Sequence, residues 1–547
     1  MRVLLPLVLL TSLTVMAQER SQSRSMVMSP GGIVATSQTL ASQAGAAVLA
    51  RGGNAIDAAI AANATLGVVE PQSCGMGGDL FAIYWDAKTG KLTAINSSGW
   101  APKGLTIEFL NSKGIHDMPQ DGIQSVTVPG AVEGWSKLHQ RFGKLPWKDD
   151  FQPAIYYAEH GYPVTELISA GWAMEQAKIE KNENARKLLL PNGAPPKPGQ
   201  MFRNPGMAAA YRLIAEQGES AFYRGAIGKA ILATSERLGG TMTAADLSEF
   251  QAEWVEPIST DYHGWKVYEL PPNGQGIAAL EMLNIMSQFP LADYTPRGLQ
   301  ELHVEMEAQK LAYADLHRYV ADPRFSKVPT AGLMSMDYAR ERAKLLDQEK
   351  ASCDVLPGKP PAIHGDTIYL TVVDKDGNIA SLIQSLYLGF GSGVVVDDYG
   401  FALQNRGGLF EMDPHHPNAL AGRKRPFHTI IPAFMEKGDI HLGFGIMGGL
   451  NQAQAHAQFV SNIVDHGMNI QMALEQPRFT KTTWGGCDFL IEKRISSDVI
   501  KGLEAKGHKI QVVGDYNLLM GGGQAVIHDS ATGVNYGASD PRKDGAA

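Results

Sequence analysis

A chain of 547 residues with 44% hydrophobic content is long and apolar enough to bury one large core or two ordinary ones. Its formal charge of −8 is modest, and the one short basic cluster, Arg423-Lys424-Arg425, is closed by Pro426 before it becomes a stripe, which excludes a nucleic-acid partner. The three widely spaced cysteines, Cys74, Cys353 and Cys487, exclude a disulfide scaffold and a zinc site, so stability is expected to come from packing.

In chain order, Arg2, an apolar run over residues 3–16 and the small-x-small pattern Val15-Met16-Ala17 read as a signal peptide over residues 1–17. The run is shorter than the roughly 20 residues that span a bilayer, so cleavage and export to the periplasm or extracellular space are expected, with no membrane contact afterwards. Ile33-Val34-Ala35 reads as a strand, and Ser37 as the cap of a helix reaching Ala50. Gly52-Gly53 stops that helix. Asn54 caps an alanine-rich second helix through Leu66, whose small side chains call for a close neighbour. Glycines 75, 77 and 78 mark a tight turn before a strand over residues 80–85.

The clearest helix of the middle third covers residues 299–319, with Leu302, Met306, Leu311 and Leu316 at helical spacing. Its His303, Glu305, Glu307 and His317 do not place three ligands on one face and are expected on a solvated surface. Residues 349–365, with Gly358 and Pro357, Pro360 and Pro361, read as an exposed connection. A hairpin follows, with strands over 367–373 and 379–386 around the turn Asp374-Lys375-Asp376-Gly377-Asn378. The connection therefore ends in a strand whose first residue is Thr367.

A threonine hydroxyl is a weak nucleophile without a base beside it. When the threonine is the first residue of a chain, its own α-amine, with a free pKa of about 7.7–8.0, can take the proton near neutral pH. Cleavage of the Asp366–Thr367 bond would create such a residue. On local grounds alone, a threonine at a strand start is ordinary β-propensity.

Further stretches change the weight of that reading: Gly52-Gly53-Asn54-Ala55-Ile56-Asp57-Ala58-Ala59, Val68-Val69-Glu70-Pro71-Gln72, Val128-Pro129-Gly130, Lys424-Arg425-Pro426 and Gly537-Ala538-Ser539-Asp540-Pro541-Arg542. With the hairpin turn, they resemble the γ-glutamyltransferase family from residue 33 to the C-terminus. The resemblance implies an α+β fold, the four-layer αββα sandwich of the N-terminal-nucleophile hydrolases, and autocatalytic cleavage between Asp366 and Thr367. It also implies a large subunit of residues 18–366 and a small catalytic subunit of residues 367–547 that stay together as a heterodimer. The implied chemistry needs no cofactor and no metal. Thr367 attacks a small-molecule amide, of γ-glutamyl type or another small carboxylated kind, and water or an acceptor amine resolves the acyl-enzyme. Ser385 matches a hydroxyl residue that supports the nucleophile, and a plain strand serine is the alternative.

Gly443-Phe444-Gly445-Ile446-Met447-Gly448 spells G-x-G-x-x-G between a strand and a helix, with Asp465 near the distance of a ribose-binding acid. A dinucleotide unit would next return to a parallel strand, whereas Gly467 stops the helix and Asn469 caps another. The resemblance instead makes Gly448 and Gly449 the backbone donors to the oxyanion of a tetrahedral intermediate.

The sequence also departs from the family. The arginine that clamps a γ-glutamyl carboxylate is replaced by Ser98, an acidic ammonium anchor by Leu409, a serine pair by His428-Thr429 and an asparagine by Tyr387. Such replacements are similar to the acylase-like and oxamate-amidohydrolase-like branch of the family. Arg406 can then hold a carboxylate from another direction and His428 can bond an amide, or both are structural. The short connection over residues 411–422 suggests a more open site. Two rival readings stand beside the enzyme: a non-enzymatic exported protein that binds small amides or peptides on this fold, and a cysteine hydrolase using Cys74, which has no histidine nearby in sequence.

Overall fold

The computed structural model describes residues 22–355 and 366–547, with residues 366 and 367 as backbone. The signal peptide expected over residues 1–17, and most of the connection expected to be exposed, lie outside the described residues. Among the described residues the two largest sheets are antiparallel, and the fold is α+β. The six-stranded sheet runs in the order Ile33–Ala35, Asp366–Val373, Ile379–Tyr387, Asp79–Asp86, Lys91–Ser97, Glu253–Val255. The seven-stranded sheet runs Val27–Ser29, Val534–Ser539, Gly523–Asp529, Ile440–Ile446, Ala433–Lys437, Trp265–Glu269, Ile258–Tyr262. Both sheets combine strands from before residue 366 with strands from after it.

Each sheet buries both faces. Phe81, Ile83, Tyr369 and Ile383 of one meet Phe434 and Val526 of the other in a shared core. The outward residues Leu370, Val372 and Leu382 pack against the alanine-rich helix Ala55–Val69, whose small side chains allow the close approach expected from the sequence. Beyond the seven-stranded sheet, Leu442 and Ala525 pack with the helices Gly276–Met286, Leu299–Tyr319 and Asn451–Val464. Burial on both faces explains why residues 367–373 and 379–386 read as β-rich apolar runs.

The Ile440–Ile446 strand crosses the hairpin with unusual closeness. A Cβ at Gly443 would come within 2.9 Å of Thr371 Oγ1, and one at Gly445 within 2.6 Å of the Tyr369 ring. These two glycines are spacers between sheets. Both neighbours of their strand are antiparallel, so the dinucleotide unit is absent, as the helix stops had implied. Asp465 sits at the far end of the Asn451–Val464 helix, where it accepts from Tyr262 (2.7 Å) and Ser461 (2.7 Å).

Several expectations are corrected. The first helix is Thr39–Ala50 and its cap is Gln38, because the Ser37 hydroxyl is taken by Glu70 at 2.6 Å. The helix Leu299–Tyr319 has the expected bounds, yet Glu301 through Leu316 are buried and its acids and bases pair internally. Arg297 reaches Glu305 at 2.8 Å, Lys310 reaches Glu307 at 2.6 Å, and His303 and His508 share a 2.8 Å bond. His317 is partly buried, with a side-chain exposure of 13%. A solvated face was expected because helical charge normally seeks water; here the charges are paired inside the fold. The cysteines are also corrected: Cys353 and Cys487 form a disulfide, which an odd count spread along the chain did not disclose. Cys74 is buried, its Sγ 3.6 Å from the Glu70 carbonyl, and burial pushes its thiol pKa up, which fits packing and not nucleophilic chemistry.

Candidate active site

Thr367 lies at an irregularity of the hairpin. Asp366 pairs with Tyr387 and Ile368 with Gln384, so residue 367 is faced by two residues, Ser385 and Leu386, and the extra residue of this bulge belongs to the Ile379–Tyr387 strand. The overlying strand sets Gly443 on Thr371 and Gly445 on Tyr369. Gly448 and Gly449 follow the end of that strand at Ile446, just after Met447, which packs in the same core cluster as Tyr369. Gly448 has φ 122° and Gly449 φ 60°, a turn suited to glycine that leads into the helix Asn451–Val464. Among the described residues neither glycine N–H meets a backbone acceptor. Gln275 fixes the turn from behind, its Nε2 donating to the Gly449 carbonyl at 2.8 Å and also to the Thr429 carbonyl.

Beside the bulge sits a buried polar cluster. The Tyr387 N–H donates to Ser385 Oγ at 2.8 Å, and Tyr387 itself holds φ 84°, a costly backbone for a residue with a Cβ. The Arg406 guanidinium lies 4.8 Å from the Tyr387 ring centroid and donates to Thr429 Oγ1 at 2.6 Å. Its Nε and Nη2 are buried without a partner among the described residues. Burial lowers the Arg406 pKa to about 10, against the pull of Asp79.

Asp79, which the sequence reading passed over, organises this cluster. Its Oδ1 accepts from the Gly99 N–H (2.9 Å), the Gly130 N–H (3.0 Å) and Gln404 Nε2 (2.8 Å). Its Oδ2 accepts from His428 Nε2 at 3.0 Å. His428 Nδ1 then accepts from the Ile430 N–H at 3.3 Å, so no ring nitrogen is left for a substrate amide. Burial, aided by Arg406 and Arg425, holds His428 well below the ordinary imidazole pKa, and the contact with Asp79 is a neutral-donor hydrogen bond and not an ion pair. Ser98, at the position of the missing arginine, is buried and bonded to Asn96 at 2.8 Å.

Burial pushes the Asp79 pKa up to about 7, even though Arg406, Gln404 and the two amides pull it down. An acid whose folded pKa is raised binds its proton in the native state while the unfolded chain has released it, so its contribution is fullest below about pH 4 and is lost as pH rises to 7. Asp79→Asn should therefore gain on wild type by up to about 4 kcal/mol between pH 4 and about pH 7.5. Denaturant melts of both proteins across that range check it; a constant difference would show that the Asp79 proton is not linked to folding.

A cavity of about 600 Å³ opens beside the cluster, walled by Tyr387, Leu409, Phe410, Phe427, Leu450 and Trp484, with His317, Glu411 and His416 among its polar lining. A smaller one of about 90 Å³ is lined by Gly389, Gly448, Lys543 and Asp544. Two short segments, Tyr387 to Gly389 and Gly448 to Leu450, therefore reach from one cavity to the other. Two histidine and carboxylate groups, one on this cavity at His317, Glu411 and His416 and one remote from it at His303, Glu307 and His508, are poor metal sites. His416 Nδ1 accepts from the Asn418 N–H, which leaves the proton on Nε2, and His303 donates Nε2–H to the Asp347 carbonyl while its Nδ1 takes the His508 proton.

The structure thus brings Ser385, Tyr387, Arg406, His428 and Thr429 together beside the bulge that faces residue 367, while Gly448 and Gly449 follow the end of the overlying strand. Sequence reasoning missed Asp79, Gln275 and Gln404. The signal for Asp79 was available in the Val128-Pro129-Gly130 motif, whose glycine is placed by this carboxylate.

A family model described as gamma-glutamyltranspeptidase matches residues 41–547. A glutathione hydrolase-like proenzyme of Bacillus subtilis is 36% identical over 530 residues, covering 96% of this chain and 98% of its own. An oxamate amidohydrolase proenzyme of Klebsiella pneumoniae is 34% identical over 533 residues, covering 95% and 98%. The crystal structure of a cephalosporin acylase from Bacillus halodurans superposes with a TM-score of 0.90 at 42% identity, covering 98% of this chain and 99% of that one. These likenesses favour an enzyme, and the non-enzymatic reading has no support among them.

Proposed function

The chain belongs to the gamma-glutamyltranspeptidase family, and on that premise we propose that it cuts itself between Asp366 and Thr367 and then uses Thr367 as the nucleophile. As a family member it is an autoprocessed N-terminal-nucleophile amidohydrolase or acyltransferase. The observation that carries the assignment to Thr367 is the register: a bulge at Ser385-Leu386 opposite residue 367, and two glycine amides without a backbone acceptor just past the end of the overlying strand.

In processing, the Thr367 hydroxyl adds to the Asp366 carbonyl and the C–N bond breaks, leaving an ester and a free α-amine. Water then cleaves the ester to an Asp366 carboxylate and restores the hydroxyl. In turnover the same hydroxyl attacks a substrate amide, with its proton passing through the α-amine to the leaving amine. Gly448 and Gly449 stabilise the oxyanion, and water or an acceptor amine releases the acyl group. Residues 18–366 and 367–547 are the two subunits, residues 1–17 the export signal. The three largest cores, one between the sheets and one beneath the helices on each side, support a four-layer αββα sandwich.

For the substrate, the unpartnered Nε and Nη2 of Arg406 support recognition of a carboxylate, since a buried guanidinium with unsatisfied donors gains most from an anion. His428 and Thr429 position Arg406 and Asp79 instead of touching substrate, and Tyr387 forms the cavity wall. With Ser98 and Leu409 in place of the family's charged anchors, γ-glutamyl anilide should turn over at least about tenfold more slowly than another small carboxylated anilide such as a glutaryl one. Equal rates would remove the acylase-like reading. Arg406→Gln should raise KM for the preferred anilide by about ten- to a hundredfold and leave an uncharged acyl anilide unaffected. Intact mass and N-terminal sequencing of the purified protein test the assignment itself, by finding or failing to find a fragment that begins at Thr367.

A further inference from the structure

The Cys353–Cys487 disulfide joins positions on opposite sides of the proposed cleavage point. We infer that it is an inter-subunit tether: once the Asp366–Thr367 bond is cut, the two subunits remain covalently joined through it. The inference rests on the cleavage reading above.

The surroundings of the bridge are built and not accidental. The Cα atoms are 4.9 Å apart, within the span a disulfide requires. Lys310, buried on the Leu299–Tyr319 helix, donates to the Ser352 carbonyl at 2.7 Å and to Glu307 at 2.6 Å, and its Nζ lies 3.5 Å from Cys487 Sγ. The Ala351 N–H donates to the Lys506 carbonyl at 2.7 Å, and Lys506 returns a bond to the Gln348 carbonyl. His303 bonds the Asp347 carbonyl at 2.8 Å and His508 at 2.8 Å. Residues 347–353 of the large subunit are thereby fastened to residues 487 and 506–508 of the small one before any sulfur chemistry occurs.

Formation of the bridge requires an oxidant. Each thiol gives up one proton and one electron, and the disulfide of a thiol–disulfide exchange partner is reduced to two thiols in return. Such oxidants act in exporting compartments, so the bridge and the expected signal peptide point to the same destination. In the uncut chain the bridge closes a loop across a sequence separation of 134. Cleavage opens that loop and turns the same bond into a link between two chains, after which their separation no longer depends on concentration. In the native fold the link is hidden, because the Asp366–Val373 strand is hydrogen-bonded on one side to Ile33–Ala35 of the large subunit and the subunits share both large sheets.

The test is therefore made under denaturing conditions. Full-length protein exported by its host is alkylated with N-ethylmaleimide, denatured, and run on gels with and without dithiothreitol. One band of full mass without reductant and two with it is the expected result, and Cys353→Ser/Cys487→Ser should give two bands in both lanes. The thermal midpoint of that double variant should rise with protein concentration while that of wild type stays fixed. Two wild-type bands without reductant, with both cysteines alkylated, would overturn the tether and leave the cleavage standing. One band in both lanes would overturn tether and cleavage together, and N-terminal sequencing separates that outcome from the first by the absence of a chain starting at Thr367.

Discussion

Thr367→Ala is expected to leave the chain in one piece and to lower amide turnover by at least about 10⁴-fold, the scale seen when a covalent nucleophile is removed. Both losses have one cause, since the same oxygen opens its own peptide bond and later the substrate's. The backbone explains why this position suits self-cleavage. Residue 367 faces the bulge at Ser385-Leu386 and lacks the ladder partner that residues 368 to 373 each have, so its carbonyl neighbour can be bent toward attack. Thr367→Ser keeps the hydroxyl and, once cut, the α-amine, and should be processed at a reduced rate. Turnover can be separated from processing by co-expressing residues 18–366 with a second chain, residues 367–547 carrying Thr367→Ala. That assembly should fold, because its strands pair as in the parent, and should be inactive. Cleavage of full-length Thr367→Ala at the same bond would mean that an external protease does the cutting, and activity of the two-piece alanine protein would remove Thr367 from the chemistry altogether.

The parts of this arrangement that the sequence disclosed are local ones. Asn54 bonds the N–H groups of Ile56 and Asp57 at the head of the Ala55–Val69 helix, and Asp374 closes the hairpin turn by accepting from Asp376 and Asn378. Caps and turns of this kind are set by neighbours in the chain, so spacing alone is enough. The Asp79 cluster could not be read that way. Its members come from residues 79, 99, 130, 404, 406 and 428, and only the folded sheet makes them neighbours. The same limit applied to the charged residues of the Leu299–Tyr319 helix and to the paired cysteines, several of whose partners lie on elements distant in sequence. Ser98, Leu409 and Tyr387 were visible as departures from the family, but whether a departure empties a site or merely rebuilds it depends on what occupies the space. Here Leu409 and Tyr387 wall a cavity and Ser98 turns away into a bond with Asn96.

The glycine motif allows the sharpest separation of structure from chemistry, because its glycines have different roles within one short stretch. Gly448→Ala should lower kcat by about 10²- to 10³-fold, or about 2.7–4 kcal/mol of transition-state stabilisation, with KM little changed and about 1–3 kcal/mol of stability lost to the strained turn. Its φ of 122° is unsuited to a residue with a Cβ, and a Cβ there would lie 3.1 Å from the Asn451 side chain, so the turn must rotate and carry its amide away from the oxyanion. Gly445→Ala should lose stability but keep the kcat of the protein that remains folded. Its Cβ would meet the Tyr369 ring at 2.6 Å, forcing the sheets apart, so stability should fall by about 1–3 kcal/mol or more. Any loss of activity would then follow the loss of folded protein. Circular dichroism melts and initial rates on the two processed variants distinguish the cases. If Gly448→Ala kept kcat within about threefold of wild type, its amide would not be an oxyanion donor, and the positive φ would be needed only to turn the chain from the Ile440–Ile446 strand into its helix.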